Sequence, residues 1–193
     1  MSGQILKAAL RKDIPNRLKS ISEDDMKHYS SLVHRKLFAM KQYQRALRVS
    51  VFLSGATDID TGTIIQDLMG KGKTVFVPRF EPGQESMRML SLHSLRDYHN
   101  LPEIMWGIRQ PQSAVGREDI METSHLDLVI APGDAFNANA TGCYERFLSD
   151  YRSKFNKSPY VVALALSKHL MDTAHSGESN TAPDHVLAAD EHC

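Results

Sequence analysis

The sequence contains little cysteine and no excess of charge of either sign. Its 193 residues include only Cys143 and Cys193, which match no metal-ligand spacing and have no second pair beside them. We therefore expect neither a zinc module nor a disulfide scaffold. The 23 Lys and Arg residues balance the 23 Asp and Glu residues. Proteins that bind nucleic acids usually carry a basic excess or a basic stripe, so we expect no nucleic-acid partner.

Long hydrophobic runs are also missing. None approaches the roughly 20 apolar residues that a membrane-spanning helix needs, so no membrane partner is expected. Residues 1–14 carry too much charge for a signal peptide, and a cytoplasmic location is predicted. Hydrophobic residues make up 41% of the chain and charged residues 24%, as in ordinary globular proteins. We expect a monomer with one domain over residues 1–193, whose C-terminal tail is polar from about residue 168.

Short apolar runs alternate with segments of helical periodicity. Buried strands are predicted at 49–53, 73–78, 126–131 and 160–166, with weaker strand patterns at 87–92 and 186–189. Helices are predicted at 4–20, from a cap at Ser22 to Phe38, from a cap at Thr61 to Gly70, and from Tyr144 to about Phe155. This alternation predicts an α/β fold, a single three-layer α/β/α domain with a mainly parallel sheet.

The turns that follow the predicted strands are the first places to look for a site. In parallel sheets, ligands bind outside the carboxyl ends of the strands. The turns concerned are 54–60, 78–80 and 132–145, whereas 82–86 and 106–116 are interpreted as loops.

Familiar catalytic motifs do not single out a reaction. The sequence has no Walker A pattern and no GxGxxG, GxSxG or HExxH. Cys143 follows Gly142 at a predicted helix start, where the helix N-terminus would stabilise a thiolate, but a structural role is the alternative. His28 and His34 are six residues apart and do not share a helix face. The residues alone predict an α/β domain with a site at its strand ends.

Taken in order, several segments resemble the 5-formyltetrahydrofolate cyclo-ligase (methenyltetrahydrofolate synthetase) family. They span residues 5–166, and their order and spacing are more specific than any one of them. The segments are KAALR (7–11), VSVFLS (49–54), DIDT (58–61), GKTVFVPRF (72–80), MRM (87–89), WGIRQP (106–111), LDLVIAPG (126–133) and VALA (162–165). The resemblance implies a compact α/β/α fold. It also implies ATP-dependent conversion of 5-formyltetrahydrofolate to 5,10-methenyltetrahydrofolate in one-carbon metabolism.

The resemblance also implies site residues, although no catalytic residue. For ATP it implies Lys7, Ala8, Ala9, Leu10, Arg11, Thr141, Gly142, Cys143 and Tyr144. For the folate substrate it implies Leu53, Asp58 and Trp106, and for Mg²⁺ it implies Glu145 and Asn180. Three of these assignments have simpler alternatives: a solvated basic helix at Lys7 and Arg11, a turn or helix start at Asp58 (beside Asp60 and Thr61, which could cap equally well), and the core at Trp106.

The chain departs from the family mainly where phosphate would bind. The family carries a long glycine-rich basic loop of the form GRGxGYYD, whereas residues 137–145 here read NANATGCYE, with one glycine and no Lys or Arg. Asn180 stands where the family has an Asp. Three hypotheses follow: a cyclo-ligase of reduced activity, a non-catalytic folate-binding or regulatory protein, and a different α/β enzyme such as a sugar-phosphate or acyl-transfer enzyme.

Overall fold

The computed structural model describes residues 21–81, 86–105, 108–123, 125–136, 142–167 and 182–189. The helices are α1 (Glu23–Ala39), α2 (Lys41–Arg45), α3 (Gly62–Gly70), α4 (Leu95–His99), α5 (Ile120–Thr123) and α6 (Cys143–Phe155), with a 3₁₀ turn at Gly133–Phe136. The strands are β1 (Arg48–Val51), β2 (Thr74–Arg79), β3 (Arg88–Ser91), β4 (Glu103–Met105), β5 (Ile108–Arg109), β6 (Leu128–Pro132), β7 (Tyr160–Ala165) and β8 (His185–Ala188). The helix predicted at 4–20 lies outside the described residues.

One six-stranded sheet has the order β3-β2-β1-β6-β7-β8. Strands β2, β1, β6, β7 and β8 pair in parallel, and β3 pairs with β2 antiparallel at the edge. Strands β4 and β5 form a separate antiparallel pair. The prediction of an α/β fold with a mainly parallel sheet is confirmed.

The central strands are apolar because both faces of the sheet are covered. The residues from Val75 to Val77 and from Leu128 to Ala131 have no solvent exposure, and Val49, Val51 and Val162 are equally buried. Such near-continuous hydrophobic runs are typical of parallel strands. No helix in the described ranges is long and apolar enough to cross a membrane.

The strand order reverses between β1 and β6. From β1 the chain moves outwards to β2 and β3, then returns to β6 beside β1 and continues through β7 to β8. Because such crossovers are right-handed, α3 and α6 belong on opposite faces of the sheet. The carboxyl ends of β1 and β6 therefore flank the crevice where open α/β sheets bind ligands.

Two local predictions need correction. Thr61 does not cap α3 with its side chain, because its buried hydroxyl accepts a hydrogen bond from the Ser54 backbone (3.0 Å). Asp60 caps α3 instead, because its carboxylate accepts hydrogen bonds from the backbone N–H groups of Gly62 and Thr63 (3.0 and 3.1 Å). The prediction of a loop at 106–116 is wrong in part, since Ile108–Arg109 forms a strand that pairs with β4. By contrast, Ser22 caps α1 as predicted.

Candidate active site

The loop after β1 is held in shape by hydrogen bonds between its own residues. The Gly55 N–H donates to Asp58 Oδ2 (2.8 Å), and the Asp58 N–H donates back to the Gly55 carbonyl (3.3 Å). Ser54 and Thr61 bond reciprocally, each backbone N–H donating to the other hydroxyl. Leu53, a predicted substrate contact, begins this loop and is only 8% exposed. The loop therefore presents Asp58 from a fixed backbone.

Asp58, the other described residue predicted for the substrate, has an altered proton affinity. Burial raises its pKa above the ordinary 3.8, the hydrogen bond from Gly55 lowers it, and the negative charge of Asp134 raises it again. The net pKa is raised. The side chain also lines a cleft of about 250 Å³ between this loop and α1, beside Met26 and Lys27. A half-buried carboxylate of this kind suits hydrogen bonding to a ligand's N–H groups.

Asp134 is a further candidate site residue, which no sequence pattern marked individually. It lies in the 3₁₀ turn directly after β6, and β6 is the neighbour of β1 in the sheet. Partial removal of the Asp134 carboxylate from water raises its pKa. A hydrogen bond from its own backbone N–H opposes this shift, and solvent screens the exposed side chain. The signal that could have found it is its place in the turn 132–145, which was expected to border the site.

Asp60 has a structural role in the same loop. Burial opposes its ionisation, but hydrogen bonds from Thr63 and Gly62 and the charge of His34 outweigh burial and lower the Asp60 pKa. Its backbone N–H donates to Ser30 Oγ (3.0 Å), and its carbonyl lies 2.6 Å from His34 Nε2. Asp60 thus joins α1 to the start of α3.

A second cleft, of about 370 Å³, lies on the other side of the loop. Its walls include Leu53 together with Tyr98 of α4 and Arg109 of β5. The hairpin of β4 and β5 reaches this loop, because Ile108 Cγ1 lies 4.0 Å from the position that a Cβ on Gly55 would occupy. This volume is within the range of small-molecule sites. Neither Tyr98 nor Arg109 was predicted as a site residue, although Arg109 lies within the WGIRQP segment (106–111).

Four residues predicted for nucleotide or metal binding start α6. Gly142 precedes the helix with a left-handed φ of 73°, which glycine adopts without steric cost. Cys143 opens the helix and is half-buried, and Glu145 lies in its first turn. Tyr144 is buried against Phe136, with ring centroids 6.1 Å apart.

Tyr144 connects the start of α6 to the two carboxylates. Burial raises the pKa of its hydroxyl, and the charges of Asp134, the Cys143 thiol and Asp58 raise it further. The two post-strand turns and the start of α6 therefore lie near one another beside the β1–β6 crevice.

Other predicted site residues lie outside the described residues. They are Lys7, Ala8, Ala9, Leu10, Arg11, Trp106, Thr141 and Asn180. In the described ranges, no group of three or more His, Cys, Asp or Glu side chains could hold a metal ion. Glu145 is the member of the predicted Mg²⁺ pair that the structure describes, and the carboxylate of Glu145 and the amide of Asn180 are both oxygen donors of the kind Mg²⁺ prefers.

Comparison with known proteins points to one family. The model of the 5-formyltetrahydrofolate cyclo-ligase family matches residues 4–188. A probable 5-formyltetrahydrofolate cyclo-ligase from Caenorhabditis elegans is 33% identical over 189 residues, covering 94% of this chain and 92% of the relative. The mouse (Mus musculus) 5-formyltetrahydrofolate cyclo-ligase is 31% identical over 190 residues, covering 95% of this chain and 94% of the relative.

Solved structures agree on the fold. A 5,10-methenyltetrahydrofolate synthetase from Mycoplasma pneumoniae aligns with a TM-score of 0.64 at 10% identity, covering 95% of this chain and 99% of that chain. The Aquifex aeolicus 5,10-methenyltetrahydrofolate synthetase aligns with a TM-score of 0.60 at 20% identity, covering 82% and 76%. At these identities the likeness concerns architecture alone.

Proposed function

The chain belongs to the 5-formyltetrahydrofolate cyclo-ligase family, and on that premise we propose that it converts 5-formyltetrahydrofolate to 5,10-methenyltetrahydrofolate with ATP. The observation that supports this most is the position of Asp58. Asp58 lies on the loop after β1, one of the two strands that flank the β1–β6 crevice, and lines the cleft between this loop and α1, near enough to Asp134 after β6 for the charge of Asp134 to raise its pKa. Open α/β sheets bind their ligands in this crevice.

The reaction divides into two steps with distinct physical demands. The γ-phosphoryl group of ATP moves to the formyl oxygen, then N10 attacks the activated carbon, loses its proton and expels phosphate. The folate needs an apolar slot and a few polar groups that fix its orientation. We assign the polar role to Asp58 and the apolar contact to Leu53, and we propose that Trp106 forms a wall for the pterin.

The phosphates need positive charge and backbone donors. We propose that the start of α6 supplies N–H groups from Cys143 and Tyr144 after the turn at Gly142, because helix N-termini favour anions. Lys7 and Arg11 would supply the cations. Glu145 and Asn180 would hold Mg²⁺, which neutralises phosphate charge when bound.

The segment before α6 argues for slow turnover. Residues 137–145 include one glycine and no Lys or Arg, while Asp58, Asp134 and Glu145 add negative charge around the crevice. Loss of a single preorganised donor typically costs ~10²–10³ in rate. The same observation favours the second candidate, a folate-binding protein without turnover.

Binding and turnover measured on the same protein separate these candidates. We expect the chain to bind 5-formyltetrahydrofolate in an equilibrium titration and to form product far more slowly than a relative with the full glycine-rich basic loop. Grafting that loop between Phe136 and Tyr144 should raise the rate and leave folate affinity nearly unchanged. A native rate equal to that of the full-loop relative would refute the role given to the loop. Binding without product even after grafting would favour the non-catalytic candidate.

A further inference from the structure

Arg109 is a cation without an ion-pair partner in the described part of the chain. It is exposed on β5, and its one hydrogen bond there is long, from Nη1 to the His99 carbonyl at 3.5 Å. By contrast, Arg88 is paired with Asp119 and Arg117 with Asp97. An arginine that faced only open solvent would need no partner other than water. Arg109, however, lines the cleft beside the loop after β1.

A tyrosine hydroxyl accompanies Arg109 in this cleft. Tyr98 is half-buried on α4 and shares the lining with Arg109 and Leu53. Burial and the charge of Asp60 raise the Tyr98 pKa, whereas the charge of Arg109 lowers it, so the ring lies within the field of both. A guanidinium and a phenol that stays protonated both donate hydrogen bonds, and together they suit an oxyanion.

The charges of the site are divided along the loop. Asp58 and Asp134 make the crevice end acidic. The hairpin end holds both the guanidinium of Arg109 and the carboxylate of Asp60, whose oxygens already accept hydrogen bonds from Gly62 and Thr63, so Arg109 is the group there that can donate to an oxyanion. The proposed substrate has the matching division, because its pterin ring is uncharged and carries N–H donors, and its glutamate end carries the carboxylates. A folate whose pterin lies at the crevice can therefore direct its glutamate end towards the hairpin.

We propose that Arg109, assisted by Tyr98, binds a glutamate carboxylate of the folate substrate and so determines affinity for the tail. This inference rests on the proposed function. The chemistry that Arg109 recognises, an oxyanion, also occurs in the phosphates of ATP, and the experiment distinguishes the two sources.

The test compares 5-formyltetrahydrofolate with its diamide, in which carboxamides replace both glutamate carboxylates. Arg109→Gln should weaken binding of the natural substrate roughly 10-fold or more, the range for a lost charge-assisted hydrogen bond. Binding of the diamide and of ATP should not change. Arg109→Lys should recover part of the loss, since lysine keeps the charge without the guanidinium fork. Arg96→Gln, on the exposed side of α4, is the matched control and should bind like the native protein.

Several results would overturn the assignment. Unchanged substrate affinity in Arg109→Gln would do so, as would equal weakening of substrate and diamide, and weakening of ATP alone would assign Arg109 to a phosphate. Thermal unfolding of each variant detects damage to the fold. Where Arg109→Gln is damaged, Arg109→Lys takes its place in the comparison of the natural substrate with the diamide. A native protein that binds neither folate would instead refute the proposed function itself.

Discussion

Asp58 and Asp60, two carboxylates of the loop after β1, have pKa values shifted in opposite directions. Burial raises the pKa of Asp58, whose described hydrogen bond comes from one backbone N–H. Asp60 accepts from the backbone of Gly62 and from both the backbone and the hydroxyl of Thr63, and its pKa is lowered. The satisfied carboxylate stabilises the loop, and the one with spare acceptor capacity is available to a ligand.

This difference predicts how Asp58 affects stability with pH. The raised pKa means that the native state keeps the Asp58 proton where the unfolded chain has lost it, so its contribution to stability falls as the pH rises above 3.8. Asp58→Asn carries no charge and retains an acceptor for the Gly55 N–H. We expect the variant to exceed the native protein in free energy of unfolding at pH 7 and to approach it towards pH 3.8. Denaturant titrations at several pH values measure this.

Asp60→Asn is the matched comparison, and the sign is reversed. Its lowered pKa stabilises the native state above pH 3.8, and that stability is lost as the pH falls through the native pKa. We expect Asp60→Asn to be less stable than the native protein at pH 7, with a smaller difference in acid. A change of the same sign in both variants at pH 7 would contradict the roles assigned to the two residues.

Asp58 also allows a binding prediction. Asp58→Ala removes an acceptor and leaves the ligand's donor unpaired, which should weaken 5-formyltetrahydrofolate binding by about 1–3 kcal/mol. The fold should survive, because a loop carboxylate adds little to the core. Calorimetric or fluorescence titration gives the affinity, and an unchanged value would remove Asp58 from the site.

The first residue of α3, Gly62, lies close to Tyr98, which lines the same cleft as Arg109. A Cβ on Gly62 would lie 2.9 Å from Tyr98 Oη and 3.1 Å from Asp60 Oδ1, whereas one on Gly70 would meet nothing within 4 Å. Gly70→Ala should therefore raise the free energy of unfolding by up to about 1 kcal/mol, the usual helix preference for alanine. Gly62→Ala should gain less or be destabilised. Equal effects of the two substitutions in denaturant unfolding would show that Tyr98 yields without cost.

The basic N-terminal segment is predicted to serve the nucleotide. Lys7 and Arg11 are spaced one helical turn apart, so in a helix both would face one ligand. Lys7→Ala or Arg11→Ala should weaken ATP binding more than folate binding, because a cation–phosphate contact depends on charge and makes no demand on the pterin. Separate titrations with each ligand check this. Equal loss of both ligands would point to disturbed packing and end the nucleotide assignment.

The main elements could be predicted because their patterns are strong and local. The runs that became β1, β2, β6 and β7 are mostly apolar, and the cap at Ser22 precedes a long amphipathic helix. The two-residue strand Ile108–Arg109 could not be predicted, since it exists only through its pairing with β4. Nor could periodicity decide between Asp60 and Thr61 as the cap, because the burial of Thr61 against Ser54 settles it.

Only those parts of the candidate site that lie within a single sequence segment could be predicted. The turns after the strands and Asp58 could be identified, the latter through the family resemblance. Asp134 and Arg109 depend on which strands are neighbours: β6 lies beside β1, and the hairpin of β4 and β5 reaches Gly55. Those contacts join residues far apart in sequence, and no motif in this chain encodes them.

At the scale of the whole molecule, the strand reversal explains why a neutral chain can have a strongly charged site. The 23 basic and 23 acidic residues cancel overall, yet the crevice collects Asp58 and Asp134 and the hairpin contributes Arg109. An acidic crevice suits the N–H groups of a pterin and opposes a nucleotide phosphate. The proposed slow turnover follows from this imbalance together with the single glycine of residues 137–145.

The most direct measurement is the absorbance of 5,10-methenyltetrahydrofolate during incubation of the purified protein with 5-formyltetrahydrofolate, ATP and Mg²⁺. We predict a slow rise that requires ATP, is slower than that of a full-loop relative measured beside it, and is slower still in Asp58→Ala. Absence of any rise above the protein-free mixture, or a rise that Asp58→Ala leaves unaltered, would contradict the assignment of this crevice as a folate cyclo-ligase site.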